Sequence, residues 1–332
     1  MSSRNGAIIE VTGLTKRYGE VLAVDDISFD VIEGEVFGFL GPNGAGKTTT
    51  INMLTGLGRL DRGTVRIGGI ECTQNPKAAQ HLLGIVPDES NLYPELTGFE
   101  NLSFCGALYG MRRSEREGRA RDLLKVFGLT DAADRKFETY SKGMKRKLTF
   151  AAGIVHEPPI LFLDEPTTRI DVASARQVRQ IVSDLHRQGV TIFFTTHYIE
   201  EAERLCERIA FIVNGRIVKA ERTSDLLQPV KGRNVLLLSV SGFGDDLRDA
   251  MTAAFPAYLF ESVGRGQIRV ESTDTINVAP LTRFLDERGI QVAEARRHLP
   301  SLEDIFVEVT GIEADLMKRD KERAGGGRGA NS

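Results

Sequence analysis

Gly41-Pro42-Asn43-Gly44-Ala45-Gly46-Lys47-Thr48-Thr49 fits the spacing GxxxxGK[ST]. Glu35-Val36-Phe37-Gly38-Phe39-Leu40 before it reads as a buried strand, and Thr49-Thr50-Ile51-Asn52-Met53-Leu54 after it as a helix. That context decides the reading. Glycines let backbone N–H groups curl around an anion, and a helix that starts near Lys47 aims the positive end of its dipole at the same point. Lys47 would then reach the β and γ phosphates of a nucleotide, and Thr48 would offer its hydroxyl to Mg²⁺. Without the strand and the helix, the same stretch would be a glycine-rich turn with an exposed lysine.

Working outward, Ile160-Leu161-Phe162-Leu163-Asp164-Glu165-Pro166 reads as a strand buried on both faces, with two acids at its carboxyl end. Ligands gather at such ends in open α/β sheets. Asp164 is placed to hold Mg²⁺, and Glu165 to polarise an attacking water. The other reading of two adjacent acids is a helix cap, but Pro166 stands directly after them. A further buried strand, 190–195, runs into Thr196-His197, and among five histidines only His197 stands at the carboxyl end of a strand.

Upstream of the loop, residues 8–11 read as a strand and Lys16-Arg17-Tyr18-Gly19 as a turn with one exposed aromatic. Tyr18 either stacks on a purine base or packs on the sheet edge; residue type alone leaves both open. From residue 88 to about 153 the pattern is helical, with breaks at Gly110, Gly128 and Ser141, as in a helical insertion into an α/β domain. Within it, Tyr140-Ser141-Lys142-Gly143-Met144-Lys145-Arg146-Lys147 places a serine and a glycine before a basic helix. Serine is a natural cap, and first-turn amides face an anion, although Ser-x-Gly in isolation is a weak signal.

Bulk properties narrow the class. The chain has 332 residues, 41% of them hydrophobic, which is enough for two cores. Lys and Arg number 43 against 46 Asp and Glu, so no global basic field recruits nucleic acid. Cys72, Cys105 and Cys206 lack disulfide or zinc spacing, which points to free thiols in a reducing compartment. No apolar run approaches the roughly 20 residues of a membrane helix, so a cytosolic chain is expected.

The ordered set of phosphate loop, Ser-x-Gly before a basic helix, strand ending in Asp164-Glu165, Asp171 and His197 resembles the ATP-binding subunit of ATP-binding cassette (ABC) transporters over residues 8–221. Tyr140-Ser141-Lys142-Gly143-Met144 and Ser301-Leu302-Glu303-Asp304-Ile305-Phe306 make it most similar to subunits of the ABC-2 type exporters. The resemblance implies a P-loop NTPase core with a mixed, RecA-like sheet and an inserted helical subdomain at about 88–153, within an ATP-binding domain spanning 1–228. It implies ATP and Mg²⁺ as ligands. Tyr18 would stack on adenine and residues 41–49 would bind phosphates. Thr48, Asp88 and Asp164 would hold the metal, Glu165 would act as catalytic base, and His197 would sense the γ-phosphate. Asp171 would cross to a partner subunit, whose own Ser141 and Gly143 close on ATP. Two copies, or two related chains, would clasp ATP beneath separate permease subunits on the cytoplasmic face of a membrane, with no nucleic-acid partner. An importer ATPase, or a soluble ABC ATPase of nucleic acid or ribosomes, is the alternative.

Three positions depart from that family. Asp88 stands where glutamine is usual. A carboxylate there adds repulsion toward a triphosphate of about 4 kcal/mol at about 4 Å with an effective dielectric near 20, unless it touches the metal. Lys142 replaces a glycine, with its ammonium directed outward or at phosphate. Arg169 also replaces a glycine. Beyond the ATP-binding domain, the order strand, helix, strand, strand, helix, strand in 229–312 predicts a small ferredoxin-like α+β accessory domain. Residues 313–332, charged and then glycine-rich, are expected to be a disordered tail.

Overall fold

A long hairpin opens the chain: β1 (Ala7–Tyr18) pairs antiparallel with β2 (Val21–Ile32), with Tyr18 opposite Val21 across the turn at Gly19 and Glu20. Residues 16–18, read from sequence as a turn, are therefore the end of a strand. The alternation that buries Ile9 and Val11 resumes at Leu14 because the register shifts between 11 and 14, where Gly13 adopts φ 62°. A bulge of that kind needs a residue without a Cβ penalty at positive φ. The computed structural model describes residues 6–168, 170–227, 234–241, 244–263, 266–298 and 301–312. The expected tail at 313–332 and Arg169 lie outside the described residues.

After the hairpin come β3 (Val36–Leu40), α1 (Lys47–Leu54), β4 (Arg62–Ile67), β5 (Ile70–Glu71) and β6 (Leu83–Val86). Three helices follow, α2 (Gly98–Leu108), α3 (Arg113–Val126) and α4 (Lys142–Gly153), separated by left-handed glycines at 110 and 128 and by the cap Ser141. Then β7 (Ile160–Asp164), α5 (Val172–Arg187), β8 (Thr191–Thr196), α6 (Ile199–Leu205), β9 (Arg208–Val213), β10 (Arg216–Arg222) and α7 (Thr223–Leu226) alternate.

Two sheets result. One is antiparallel in the order β2-β1-β4-β5; the other runs β10-β9-β3-β8-β7-β6, parallel except for the β9/β10 pair. Every residue of β3, β7 and β8 is buried, as central parallel strands covered on both faces must be. Phe29 of β2 meets Phe37, Phe39 and Phe193 of the second sheet at centroid distances of 5.6, 5.7 and 5.9 Å, and Phe162 joins Phe193 at 5.4 Å. This aromatic layer between the sheets is the base on which the strand ends rest. Helix α5 covers the parallel sheet with Ala175, Val178, Ile181 and Val182, the i, i+3, i+6, i+7 spacing of one face.

The structure divides into two compact units, with residues 224–305 forming the second. It holds β11 (Asn234–Val240), α8 (Asp245–Ala254), β12 (Leu259–Ser262), β13 (Gln267–Ser272), α9 (Val278–Asp286) and β14 (Val292–His298), and its antiparallel sheet has the order β12-β13-β11-β14. Leu236, Leu238, Ile268 and Val270 point to one face of the sheet, where Met251 of α8 and Leu281 and Leu285 of α9 cover them. The last helix, α10 (Leu302–Thr310), brings the chain back to the first unit: Phe306, fully buried, lies edge-on to Phe211 at 5.4 Å.

Because Phe193 joins the aromatic residues of both sheets, Phe193→Ala should cost the first unit about 3–5 kcal/mol. Denaturant unfolding at neutral pH measures this, and a loss below about 1 kcal/mol would mean that the layer is not the mechanical base described.

Candidate functional site

The loop between β3 and α1 can only be built with glycine at two points. A Cβ on Gly41 would fall 2.1 Å from the Ile212 carbonyl oxygen, and one on Gly46, at φ 105°, 2.5 Å from that of Ala23. The loop is thereby pressed against β9 and β2. Helix α1 begins at Lys47 with no side-chain cap and no acid in its first turn, so its first-turn amides and dipole act on whatever faces the loop. Asn43, Gly44 and Thr48 are exposed along that loop.

Lys47 is buried and folds back over the loop. Its ammonium donates to the carbonyls of Gly41 at 2.7 Å and Pro42 at 3.1 Å, and lies 3.1 Å from Glu165 Oε1. The contact with Glu165 is charge at close range rather than an aligned hydrogen bond, since Oε1 is offered none. The other carboxylate oxygen is held by the His197 ring at 2.6 Å from Nδ1 and by the Thr168 hydroxyl at 3.0 Å. Burial alone would raise the Glu165 carboxyl; the His197 hydrogen bond and the Lys47 charge outweigh it and hold the group below the ordinary glutamate range. Its backbone sits at φ 48°, a left-handed conformation that costs a non-glycine residue about 1–3 kcal/mol. Asp164, also buried, accepts a 2.6 Å hydrogen bond from the Thr195 hydroxyl. Lys47, Asp164, Glu165 and His197 thus converge at the carboxyl ends of β3, β7 and β8.

Arg146 is the residue that the sequence reading missed. Read only as one member of a basic helix behind the Ser141 cap, it points into the protein and is only 6% exposed. Its guanidinium donates to the carbonyls of Asp164 at 3.0 Å, Pro166 at 2.8 Å, Asp88 at 3.0 Å and Pro87. Burial pulls it down to about 10 against the opposing pull of the Asp88, Asp164 and Glu165 carboxylates. A helical-spacing signal was present: Arg146 stands three and four residues before Thr149 and Phe150, both buried.

Ser141 caps α4, its hydroxyl accepting from Met144 N at 3.2 Å, and is exposed together with Lys142. Asp171 caps α5, accepting from the Ser174 amide at 2.9 Å and hydroxyl at 2.7 Å, and these hydrogen bonds hold its carboxyl below the usual range. Gly143 joins these two helix starts: a Cβ there would lie 2.9 Å from Ser174 Oγ and 3.2 Å from Asp171 Oδ2. Tyr18 is 52% exposed, with the Lys16 ammonium 5.1 Å from its ring centroid. Asp88 is half-buried on the loop that Arg146 grips. Of the other histidines, His156 stacks on Tyr109 at 3.4 Å and burial pushes it down to about 4, as befits a structural group. Among the described residues, no three His, Cys, Asp or Glu side chains converge as a metal centre.

A glycine loop at an uncapped helix start, with a lysine, two carboxylates and a histidine at the adjacent strand ends, is suited to binding phosphate and directing water at it. Residues 24–168 match the family model described as ABC transporter. The chain is 40% identical over 327 residues to the daunorubicin/doxorubicin resistance ATP-binding protein DrrA of Streptomyces peucetius, covering 95% of this chain and 96% of that protein. The chain belongs to the ABC transporter family. It is also 38% identical to the Nod factor export ATP-binding protein I of Paraburkholderia xenovorans, over 92% of this chain and 98% of that one. Among solved structures, a dimeric ATP-binding cassette in a post-hydrolysis state with ADP and Pi bound superposes with a TM-score of 0.61 at 27% identity, covering 65% of this chain and 98% of that one. As an ABC ATPase, this chain binds ATP.

Because Glu165 titrates below its ordinary value near 4.5, its interactions contribute stability that is complete above that value and is lost as pH falls through the lower folded-state value. Wild type should therefore lose stability relative to Glu165→Gln as the pH drops from about 7 toward about 3 in urea titrations. A difference that stays constant across that range would show that the Lys47 and His197 contacts add nothing to folding.

Proposed function

We propose that this chain is the ATP-hydrolysing subunit of an ABC-2 type exporter, working as a pair of ATP-binding chains coupled to separate membrane permease subunits. The observation that carries the reading is Glu165, held in a strained backbone between Lys47 and His197 at the end of β7. A carboxylate kept ionised next to a histidine and a phosphate-binding lysine is a general base in waiting. The exporter assignment is supported by the Nod factor export relative, and pairing by the dimeric cassette.

In this reading the amides of residues 41–49 and the Lys47 ammonium bind the β and γ phosphates, while Tyr18 stacks on adenine. Lys47 exchanges Glu165 for phosphate, which frees Glu165 Oε1 to take a proton from the attacking water. His197 keeps Glu165 oriented and meets the γ-phosphate. Ser141 and Gly143 of one chain close on ATP held by the other, and Asp171 crosses the same interface. The oxygen donors Thr48, Asp164 and Asp88 fit Mg²⁺, a hard cation that takes one or two carboxylates and fills its remaining positions with phosphate and water. Bound there, it would neutralise charge developing on the phosphates.

No helix of the described residues is long and apolar enough to cross a membrane, so attachment in this reading runs through the permease. A cavity of about 430 Å³ lined by Asp88, Ser90, Leu92 and Phe137, and the exposed Tyr93, Phe104 and Leu108 nearby in sequence, offer a seat for a short helix of that partner. The second unit serves as an accessory domain.

Purified chain should release phosphate from ATP with Mg²⁺. Glu165→Gln should slow release about 10²–10⁴-fold while ATP drives the variant into dimers on light scattering. A variant that turns over like wild type and stays single overturns the reading. Asp88→Gln should alter the Mg²⁺ dependence of turnover; an unchanged dependence removes Asp88 from the metal set.

A further inference from the structure

Arg146 has no part in the reaction just described, yet it is the most completely engaged side chain near the site. Long charged side chains on a basic helix normally reach solvent, because taking a guanidinium out of water costs several kcal/mol unless its hydrogen bonds are replaced. Here they are replaced by four main-chain carbonyls from two separate segments. Nη1 takes Pro87 and Asp88, on the loop after β6; Nε takes Pro166 and Nη2 takes Asp164, at the end of β7. The arginine itself lies in the first turns of the helix that Ser141 caps. Three chain segments that are far apart in sequence therefore meet on one rigid planar group.

The chemistry of the junction explains why it is an arginine. Carbonyls that project from strand ends and loops have no ladder partner, and an unpartnered buried carbonyl costs about as much as a lost hydrogen bond. The guanidinium fork supplies donors in fixed directions in one plane, which an ammonium cannot match. Its positive charge also lies in the field of Asp88, Asp164 and Glu165 and offsets the charge of those three acids.

We infer that Arg146 is a positioning residue that fastens the Asp88 loop and the Ser141 helix start to the end of β7. Displacement of the Asp88 loop is thereby delivered to Asp164 and Glu165 and to the face that closes on a second chain. This rests on the function proposed above. It separates the steps that need the junction from those that do not: ATP binding by the Lys47 loop does not, whereas turnover and ATP-driven pairing do.

The test uses full-length protein with ATP and Mg²⁺. Wild-type turnover is measured first; its absence counts against the proposed function itself. Arg146→Lys keeps the charge but loses the fork. Thermal unfolding confirms that it is folded. Its affinity for a fluorescent ATP analogue should stay within about twofold of wild type, while kcat falls about tenfold or more. In the Glu165→Gln background the same change should lower the fraction of ATP-driven dimer. A purely structural arginine would lower the melting temperature and leave kcat per folded molecule and dimer fraction unchanged. That result, with wild type active, overturns the inference alone. Should Arg146→Lys fail to fold, amide exchange on wild type decides: on adding ATP and Mg²⁺, segments 86–89, 141–147 and 164–167 should gain protection together, and independent responses overturn the inference.

Discussion

Two carboxylates, Asp164 and Glu165, are buried side by side at the end of one strand, and the arrangement around them follows from that. Neither can shed its hydration without a replacement, since an unpaired buried ion costs several kcal/mol. The replacements come from different elements: the Thr195 hydroxyl for Asp164, and Lys47, His197 and Thr168 for Glu165. Each partner sits where a neighbouring strand or loop ends. Under the proposed function, phosphate attracts the same ammonium that now balances Glu165, so nucleotide and carboxylate compete for Lys47. This links occupation of the loop to release of the carboxylate oxygen.

Sheet register makes the convergence possible. In the order β9-β3-β8-β7, Leu40 pairs with Thr196 and Asp164 with Thr195, so three adjacent parallel strands end at one level. The residues that follow them are the Gly41 loop, His197 and Glu165. Parallel strands must return by crossovers, which places every strand's carboxyl end on the same edge. The aromatic layer beneath, where Phe193 lies 5.7 Å from Phe37 and 5.5 Å from Phe39, leaves little room for those ends to shift. A left-handed Glu165 is tolerated because its N–H is shared between two acceptors on Thr195, the carbonyl and the hydroxyl oxygen, each at 3.2 Å.

The sequence made the core legible and the junctions obscure. The apolar residues of 36–40, 160–163 and 190–195 identify strands buried on both faces, and the glycines of 41–46 announce the loop after the first of them. Strand ends were harder to place: residues 16–18 carry turn-like chemistry but are drawn into the hairpin by pairing across Gly19 and Glu20. Arg146 was obscured by its neighbours. Flanked by Lys145 and Lys147, it belongs to a charge run of the kind that usually faces solvent, and only its phase with Thr149 and Phe150 marks it as inward. Its partners are main-chain carbonyls, which leave no trace in residue identity.

The same geometry bears on how one chain prepares a surface for another. The start of α4 is tied to β7 through Arg146, and to the start of α5 through Gly143, whose missing side chain lets it lie against Asp171 and Ser174. Asp171 in turn stands six residues after Glu165 on the segment that leaves β7. The exposed Ser141 face and the buried Glu165 are therefore built on one connected block, and they cannot be moved independently without breaking guanidinium bonds or opening a gap at Gly143. A second chain that pressed on Ser141 would load the strand end carrying the carboxylates. Under the proposed function, closing the pair and aligning Glu165 are in such a block a single mechanical event rather than two events in series.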